Sequence, residues 1–351
     1  MNIQSVLDRS RQLVRLSGLE PEDAAATAVD ELAENSSESF PEAELLSRAK
    51  ELLMGFGPIQ ALMEDDSVEE IWLNRPGELF YFDSEGKHQI EIDLDQQGIQ
   101  NIVAKMLRHS KRRVDRLTPF VDADLEDGSR LHVVIPEITR SNWSVNIRKF
   151  KQSPMTLGEL EAAGTISATQ LARLRRAALD GESLLISGAT QAGKTTLLTA
   201  LLMELGENER IVSCEDTFEI AIEHPDWVAM QTRPSSIEGE FAISLRELVR
   251  QALRMRPSRL VIGEVRGAEA LDLLVALNSG IPGMGTIHAR SALGALEKLR
   301  LLPLLAGENI TEKFLTPTIR SSVNLIAHCD RLPDGSRRVS ELLEVSDDLV
   351  F

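Results

Sequence analysis

The sequence predicts an α/β fold in which a P-loop nucleotide-binding domain follows a smaller α+β domain and a short helical N-terminal appendage. Three observations support this prediction. Apolar strands and helices alternate after residue 183, which is the rhythm of a parallel sheet. A glycine-rich loop stands between one of these strands and the next helix. Before residue 150, short strand-like runs are separated by turn residues.

Length, charge and cysteine content narrow the class of protein. A chain of 351 residues, of which 42% are hydrophobic, is long enough for two or three domains. The net charge of −17 argues against direct nucleic-acid binding, which needs clustered Lys and Arg. Cys214 and Cys329 form neither a C-x-x-C pair nor a Cys/His cluster, so we expect no disulfide framework and no zinc site. Without a secretory signal or a membrane-length apolar run, the expected location is the cytoplasm.

The first 50 residues predict a helical appendage with an acidic middle. No Lys or Arg occurs between Glu20 and Glu44. Two interpretations stay open, a solvated acidic face or linker and a docking surface for a basic partner. Nothing in this segment resembles a catalytic motif.

Residues 51–150 predict a small α+β domain. Short apolar runs at 70–73 and 79–82 are separated by turn residues at 74–77 and 83–86. The other expected elements are a helix over 97–109, strands over 130–135 and 143–147, the first of them after an Asp127-Gly128 turn signal, and a linker over 151–154.

Residues 151–351 predict the P-loop domain. Parallel sheets bind ligands at the carboxyl ends of their strands, which is where the glycine-rich loop and two acidic residues fall. The expected elements are strands over 184–187, 211–214 and 260–265 and helices over 195–205, 245–255 and 268–277.

The string GATQAGKTT matches the pattern G-x-x-x-x-G-K-[ST]. The start of the following helix favours an anion, Lys194 would neutralise the terminal phosphates of ATP, and the Thr195 hydroxyl would complete a Mg²⁺ shell. The alternative is an ordinary glycine-containing loop. Gln191 stands where such loops commonly have a glycine, and its side chain restricts backbone conformations with positive φ. The predicted nucleotide-binding residues of this loop are Gly188, Ala189, Thr190, Gln191, Ala192, Gly193, Lys194, Thr195 and Thr196.

Four further residues are candidates for catalysis or binding. Glu215 follows a short apolar strand and could polarise the attacking water. Glu264 lies at the end of another apolar strand, as a Walker B acid that holds Mg²⁺ does. His288, expected on the next strand, could contact a γ-phosphate, and Arg254 could reach across a subunit interface. Each has a structural alternative, because acids cap helices, single histidines are often structural, and the helix dipole favours arginine at a helix end.

Four strings follow one another along the chain: GATQAGKTT, CEDTFEI, RLVIGEVRG and GTIHARS. In this order they resemble the Walker A motif, Asp box, Walker B motif and His box of the secretion ATPases of type II and type IV secretion and type IV pili. The string LRMRPSRLVIGEVRG is most similar to the CpaF/TadA branch, which drives tight-adherence pili. The resemblance covers about residues 50–345, because GFGPI, KRRVD, DGSR and SVNIRKF in the first domain are also similar.

The resemblance implies a hexameric ring of subunits, each with a RecA-like P-loop domain, in which ATP and Mg²⁺ lie between the two domains. It implies that Arg113 and Arg130 reach the γ-phosphate, with Arg148 near the hinge. By the same resemblance, Glu215 positions or activates water and Glu264 organises Mg²⁺. The implied partner is a polytopic inner-membrane platform protein, which would hold the ring at the inner face of the cytoplasmic membrane.

The expected function is therefore an ATP-hydrolysing motor for pilus assembly or protein secretion. One alternative is a conjugation-type ATPase for DNA transfer, which the acidic charge does not favour. Another is a nucleotide-gated assembly scaffold with little hydrolysis. Gln191 and Gly285 motivate it, because the family usually has Gly and often Thr at these positions; Arg290 is a further departure, where Asn is common.

Overall fold

A computed structural model describes residues 3–17, 19, 21–34, 45–46, 49, 55–83, 85–108, 110, 112–150, 154–233, 242–307 and 310–346. The chain divides into two compact units, Met1–Lys151 and Gln152–Phe351. Residues 35–44 of the acidic appendage, Lys111 of the string KRRVD and residues 151–153 of the expected linker lie outside the described residues. Among the described residues, no helix is long and apolar enough to cross a membrane.

Two helices begin the first unit, α1 (Ile3–Ser17) and α2 (Pro21–Glu34). Small side chains let them pack closely, since Ala24 and Ala28 are fully buried. An exposed ion pair of 2.5 Å joins Arg9 Nε to Glu31 Oε2 and adds little stability. Burial of apolar side chains is therefore the main interaction between these helices.

A six-stranded antiparallel sheet forms the larger part of the first unit, in the order β3-β2-β1-β6-β5-β4. Its core side chains alternate along four of the strands, as Ile71 and Leu73 of the first strand show, and they pack against one helix that buries Ile99 and Val103. The elements are α3 (Gln60–Glu64), β1 (Glu70–Arg75), β2 (Glu78–Asp83), β3 (Gly86–Glu91), α4 (Gln96–Met106), β4 (Phe120–Asp124), β5 (Arg130–Val134) and β6 (Ser144–Arg148).

A seven-stranded sheet with helices on both faces forms the second unit, in the order β13-β12-β7-β11-β10-β8-β9. All neighbouring strands are parallel except the last two along the chain, which form a hairpin. The elements are α5 (Leu157–Ala162), α6 (Ala168–Leu179), β7 (Leu184–Gly188), α7 (Lys194–Leu202), β8 (Ile211–Glu215), β9 (Trp227–Gln231), α8 (Leu245–Ala252), β10 (Arg259–Val265), α9 (Glu269–Asn278), β11 (Gly283–His288), α10 (Ala292–Leu301), α11 (Glu312–Ser322), β12 (Leu325–Arg331) and β13 (Arg337–Glu344).

The central strands of this sheet are buried on both faces, which explains their unbroken apolar sequences. The predicted alternation of strands and helices is confirmed. Cys214 in β8 and Cys329 in β12 are both buried and free. Burial raises the pKa of each thiol to about 12.

The structure corrects several predicted boundaries. Helix α7 ends at Leu202 and not near Gly206, because i→i+3 hydrogen bonds tighten its last turn. Helix α8 ends at Ala252, before Pro257, which cannot continue a helix. Strand β1 extends through Asn74 and Arg75, which were expected in a turn.

Five strands were not predicted: β3, β4, β9, β12 and β13. Four of them, β3, β4, β9 and β13, are edge strands of the two sheets. An edge strand faces solvent more than a central strand does, and β3, β4 and β13 accordingly mix polar and apolar residues, whereas β9 is mostly apolar. A 3₁₀-helix at Leu302–Ala306 follows helix α10.

Candidate nucleotide site

The P-loop joins buried strand β7 to helix α7. Gly188 and Gly193 have φ angles of +150° and +90°, a region that favours glycine. A Cβ added at Gly188 would lie 2.3 Å from the carbonyl oxygen of Cys329, so a larger residue does not fit there. Helix α7 begins directly after the loop, and the first turn of a helix supplies N–H groups and a positive dipole end. The loop therefore has the shape and the donors of a phosphate-binding site.

Lys194, His288 and Glu264 are linked by hydrogen bonds. The Lys194 ammonium donates to the Ala189 carbonyl at 2.8 Å and to His288 Nδ1 at 3.3 Å. His288 Nε2 lies 3.0 Å from Glu264 Oε1. This network assigns the proton of a neutral His288 to Nε2. Burial, together with the charge of Lys194, lowers the pKa of His288, which favours that neutral form.

Strand order explains why these three side chains meet. Strand β11 lies between β7 and β10, so His288 pairs with Gly188 on one side, and Ile287 pairs with Val265 on the other. The carboxyl ends of all three strands therefore lie at the same edge of the sheet.

Glu264 lies among positive charges. Its Oε2 accepts a hydrogen bond of 2.6 Å from Arg266 Nη2, and Arg266 Nη1 also lies 3.3 Å from Asp216 Oδ2. Burial alone would raise the pKa of Glu264, but the Arg266 hydrogen bond, the charges of Arg266 and Lys194 and the adjacent His288 ring outweigh it, so the pKa is lowered. The carboxylate is therefore ionised at neutral pH.

Glu215 is 1% exposed and accepts hydrogen bonds at both oxygens. Ser213 Oγ donates to Oε1 at 3.1 Å, and the backbone N–H groups of Glu219 and Ile220 donate to Oε2 at 2.8 and 3.0 Å. Burial raises the pKa of Glu215, and these donors offset part of the increase. A Cβ added at Gly263 would lie 3.1 Å from Glu215 Cγ, so this glycine lets the acid lie against strand β10.

Comparison with known families identifies the chain. The family model described as "Type II/IV secretion system protein" matches residues 53–339. The chain belongs to the type II/IV secretion system protein family.

Two relatives illustrate the range of this secretion family. A protein of Mycobacterium tuberculosis, provisionally named as a conjugal transfer protein, is 33% identical over 298 residues, which are 83% of this chain and 84% of the relative. The type IV secretion system protein VirB11 of Bartonella quintana is 29% identical over 326 residues, which are 81% of this chain and 90% of the relative.

Solved structures of ATPases share the fold of this family member. The DotB ATPase of Yersinia pseudotuberculosis superposes with a TM-score of 0.60 at 17% identity, over 89% of this chain and 83% of that chain. The DotB ATPase of Legionella pneumophila gives a TM-score of 0.55 at 19% identity, over 79% and 76%. The predicted fold class, an α/β protein with a RecA-like P-loop domain after an α+β N-terminal domain, is confirmed.

The P-loop side chains of this secretion-family protein differ in their exposure. Ala189, Thr190 and Thr196 are exposed, whereas Ala192 is 1% exposed. The backbone N–H of Ala192 donates to the Ala189 carbonyl at 3.3 Å, which closes the loop on itself. The exposed side chains surround the edge of the loop, and Ala192 anchors it.

The predicted arginines do not belong to the Lys194–His288–Glu264 network. Arg113, Arg130 and Arg148 lie in the first unit, where Arg130 and Arg148 pair across strands β5 and β6 and Arg113 Nε lies 3.2 Å from Asp115. Arg254 lies in the second unit, exposed and two residues past the end of helix α8. Their contacts with a nucleotide therefore stay predictions.

Glu219 is a site residue that the sequence reading missed. The Thr195 hydroxyl, the predicted Mg²⁺ ligand, donates to Glu219 Oε2 at 3.1 Å. Glu219 lies four residues after Glu215 in the string CEDTFEI, so the third acid of the Asp box was the available signal.

Two arginines that contact the P-loop were also missed. Arg331 Nη1 donates to the Gln191 side-chain oxygen at 2.7 Å, and Arg337 Nε donates to the Gln191 carbonyl at 3.0 Å. Gln191 has a φ of +62°, a conformation that costs a non-glycine residue roughly 1–2 kcal/mol. The Asp334-Gly335 turn signal between strands β12 and β13 was the available signal.

The donor set fits a Mg²⁺ ion bound together with nucleotide phosphates. Glu264 is ionised and Thr195 offers a hydroxyl, and Mg²⁺ prefers oxygen ligands. No cluster of three or more His, Cys, Asp or Glu in the described part of the chain is placed to hold a metal by protein groups alone. Mg²⁺ bound with substrate phosphates needs one or two protein carboxylates, as this arrangement offers.

Proposed function

We propose that this chain is a Mg²⁺-dependent ATP hydrolase that supplies work to a secretion or pilus machine. The hydrogen-bonded link between Lys194, His288 and Glu264 beside the P-loop carries the proposal. It joins a phosphate-binding cation, a neutral imidazole and an ionised acid at one edge of the sheet.

In this proposal each of these groups has one task. The Lys194 ammonium and the loop N–H groups bind the phosphates, while Glu264 and the Thr195 hydroxyl hold Mg²⁺. When bound, Mg²⁺ neutralises charge that develops on the transferred phosphoryl group. A phosphate that attracts Lys194 would release His288 Nδ1, so His288 would report occupancy of the γ-phosphate site.

We propose that Glu215 positions and activates the attacking water. A carboxylate has about four acceptor positions, of which Ser213, Glu219 and Ile220 occupy three. The remaining position can accept a hydrogen bond from water. The raised pKa of Glu215 also makes its carboxylate a stronger proton acceptor than an ordinary one.

The finer features of the proposal come from the sequence resemblance. They are a hexameric ring, a polytopic membrane partner at the inner membrane face, the tight-adherence pilus branch and a three-part division into residues 1–50, 51–150 and 151–351. In such a ring, Arg113, Arg130, Arg148 and Arg254 are the proposed cations that complete the site. Pilin and platform genes beside the coding gene would support the pilus assignment, and relaxase genes would contradict it.

The test is Mg²⁺-dependent phosphate release measured against protein concentration. Specific activity should rise with concentration as subunits associate, and Lys194→Ala should abolish it. Lys313→Ala, a change of an exposed lysine in the same unit, is the control for loss of a positive charge. Equal activity of the wild type and Lys194→Ala would contradict the proposal.

A second candidate is a conjugation-type ATPase for DNA transfer. The name of the Mycobacterium tuberculosis relative favours it. Salt-sensitive DNA binding by the purified protein would support this candidate, because phosphate contacts release counterions.

A third candidate is a nucleotide-gated scaffold that binds ATP with little hydrolysis. The left-handed Gln191 in the P-loop favours it, since strain in the loop can limit turnover. Calorimetric ATP binding without phosphate release at any protein concentration would support this candidate over the motor.

A further inference from the structure

The hairpin of strands β12 and β13 forms two hydrogen bonds to Gln191 of the P-loop. Arg331 binds the side-chain oxygen of Gln191, and Arg337 binds its backbone carbonyl. Both bonds therefore act on the non-glycine residue of the loop that adopts a positive φ.

The register of the sheet places these two hydrogen bonds beside the proposed phosphate site. Strand β12 runs parallel to β7, with Cys329 opposite Gly188, the first glycine of the P-loop. Arg331 and Arg337 face each other across the hairpin, and like charges in that position destabilise a strand pair. Each arginine has its own acceptor oxygen on Gln191, and these two hydrogen bonds offset the repulsion. The pair of arginines therefore has a role beyond the stability of the hairpin.

Arg337 also packs against the end of the loop. A Cβ added at Gly193 would lie 3.2 Å from Arg337 Cδ. The same side chain therefore limits the loop at Gly193 and fixes the carbonyl of Gln191.

We propose that Arg331 and Arg337 are positioning residues that hold the P-loop in its phosphate-receiving shape, with Gln191 as their point of attachment. Charge-assisted hydrogen bonds from the hairpin supply here the conformational bias that a glycine at position 191 would not need. The inference rests on the proposed nucleotide binding and adds a determinant of ATP affinity outside the known motifs.

We call the two hydrogen bonds from Arg331 and Arg337 to Gln191 the clamp. Calorimetric titration of the full-length protein with MgATP tests it. Arg337→Ala should weaken ATP binding about tenfold, the effect of losing one hydrogen bond from a charged donor. Arg331→Ala should weaken it by a smaller factor, about threefold, because the Gln191 side chain can turn to water. Arg338→Ala, the exposed neighbour on the same hairpin, is the matched control and should bind as the wild type does.

A rescue experiment separates positioning from general stability. Glycine adopts a positive φ without a side-chain clash, so Gln191→Gly should make the clamp dispensable. Arg337→Ala should then weaken ATP binding by less than about threefold in the Gln191→Gly background. The same tenfold loss in both backgrounds would show a structural role and overturn the inference.

The controls distinguish the failure of this inference from that of the proposed function. If the wild type does not bind ATP, or if Lys194→Ala binds it equally well, both proposals are contradicted. If Lys194→Ala loses binding while Arg337→Ala retains wild-type affinity, the clamp alone is contradicted. Should Arg337→Ala not fold, Arg337→Lys and Arg331→Ala give the same comparison, with Arg337→Lys retaining part of the affinity.

Discussion

Glu215 and Glu264 lie at the carboxyl ends of the neighbouring strands β8 and β10, yet their surroundings have opposite effects. Glu215 is buried against uncharged donors, and its pKa is raised. Glu264 lies beside Arg266, His288 and Lys194, and its pKa is lowered. Both acids follow an apolar strand, and this sequence pattern predicts where each carboxyl group lies. The neighbouring residues determine whether its pKa is raised or lowered.

The largest expected effect is on the rate of ATP hydrolysis when the Glu264 carboxylate is replaced by a neutral amide. Glu264→Gln removes the ionised group proposed to hold Mg²⁺, and phosphate release should fall by about 10²–10³-fold. Steady-state phosphate release at saturating MgATP measures this. Glu223→Gln, an exposed acid of the same unit, is the control. A decrease below tenfold would remove Glu264 from the metal site.

The second difference is in stability. Glu215→Ala leaves the Ser213 hydroxyl and two backbone N–H groups without their buried acceptor, which should lower the free energy of unfolding by about 3 kcal/mol. Glu264→Ala removes a group that faces solvent in part and should cost less. Urea unfolding of both variants makes the comparison. An equal loss in the two variants would show that the buried hydrogen bonds of Glu215 have no special weight.

The third difference is in the sign of the pH dependence. The pKa of folded Glu215 is raised, so its contribution to stability is present below its ordinary value of 4.5 and is lost as pH rises through the folded pKa. The pKa of folded Glu264 is lowered, so its contribution is present above 4.5 and is lost as pH falls through the folded pKa.

Urea unfolding of Glu215→Gln and Glu264→Gln between pH 4 and neutral pH, a range of about three units, measures this sign. Relative to the wild type, Glu215→Gln should gain stability as pH rises above 4.5. Glu264→Gln should lose relative stability as pH rises towards 4.5 and change little above it. Slopes of the same sign for both variants would contradict the contrast between the two sites.

The smallest expected effect concerns Glu219, which links the Asp box to Thr195. Glu219→Gln weakens a hydrogen bond to the Thr195 hydroxyl and should raise the Mg²⁺ concentration for half-maximal phosphate release about threefold. Titration with Mg²⁺ at fixed ATP measures it. A loss as large as that of Glu264→Gln would make Glu219 the main acid on the metal side.

Local sequence patterns predicted the elements that are strongly apolar or glycine-rich. Strand β7, the P-loop and strand β10 have signals contained within a few residues, and so the positions of Lys194 and Glu264 could be expected. The edge strands β3, β4 and β13 have mixed sequences and were missed, since pairing with a neighbouring strand rather than an apolar pattern defines them.

The two missed arginines have a common physical cause. Arg331 and Arg337 reach Gln191 from 140 and 146 residues further along the chain, through the pairing of β12 with β7. No local pattern reports such a contact, because it depends on which strands become neighbours. The pKa shifts of Glu215 and Glu264 depend on the same long-range placement.

The burial of both native cysteines has a practical consequence. Thiol-reactive dyes are attacked by the thiolate, and Cys214 and Cys329 have pKa values raised to about 12 within a packed sheet. A cysteine introduced at an exposed position such as Arg338 would therefore take up a fluorophore selectively in the folded protein. Labelling of the native pair would report opening of the seven-stranded sheet, so the natural sequence can serve as its own background for fluorescence measurements.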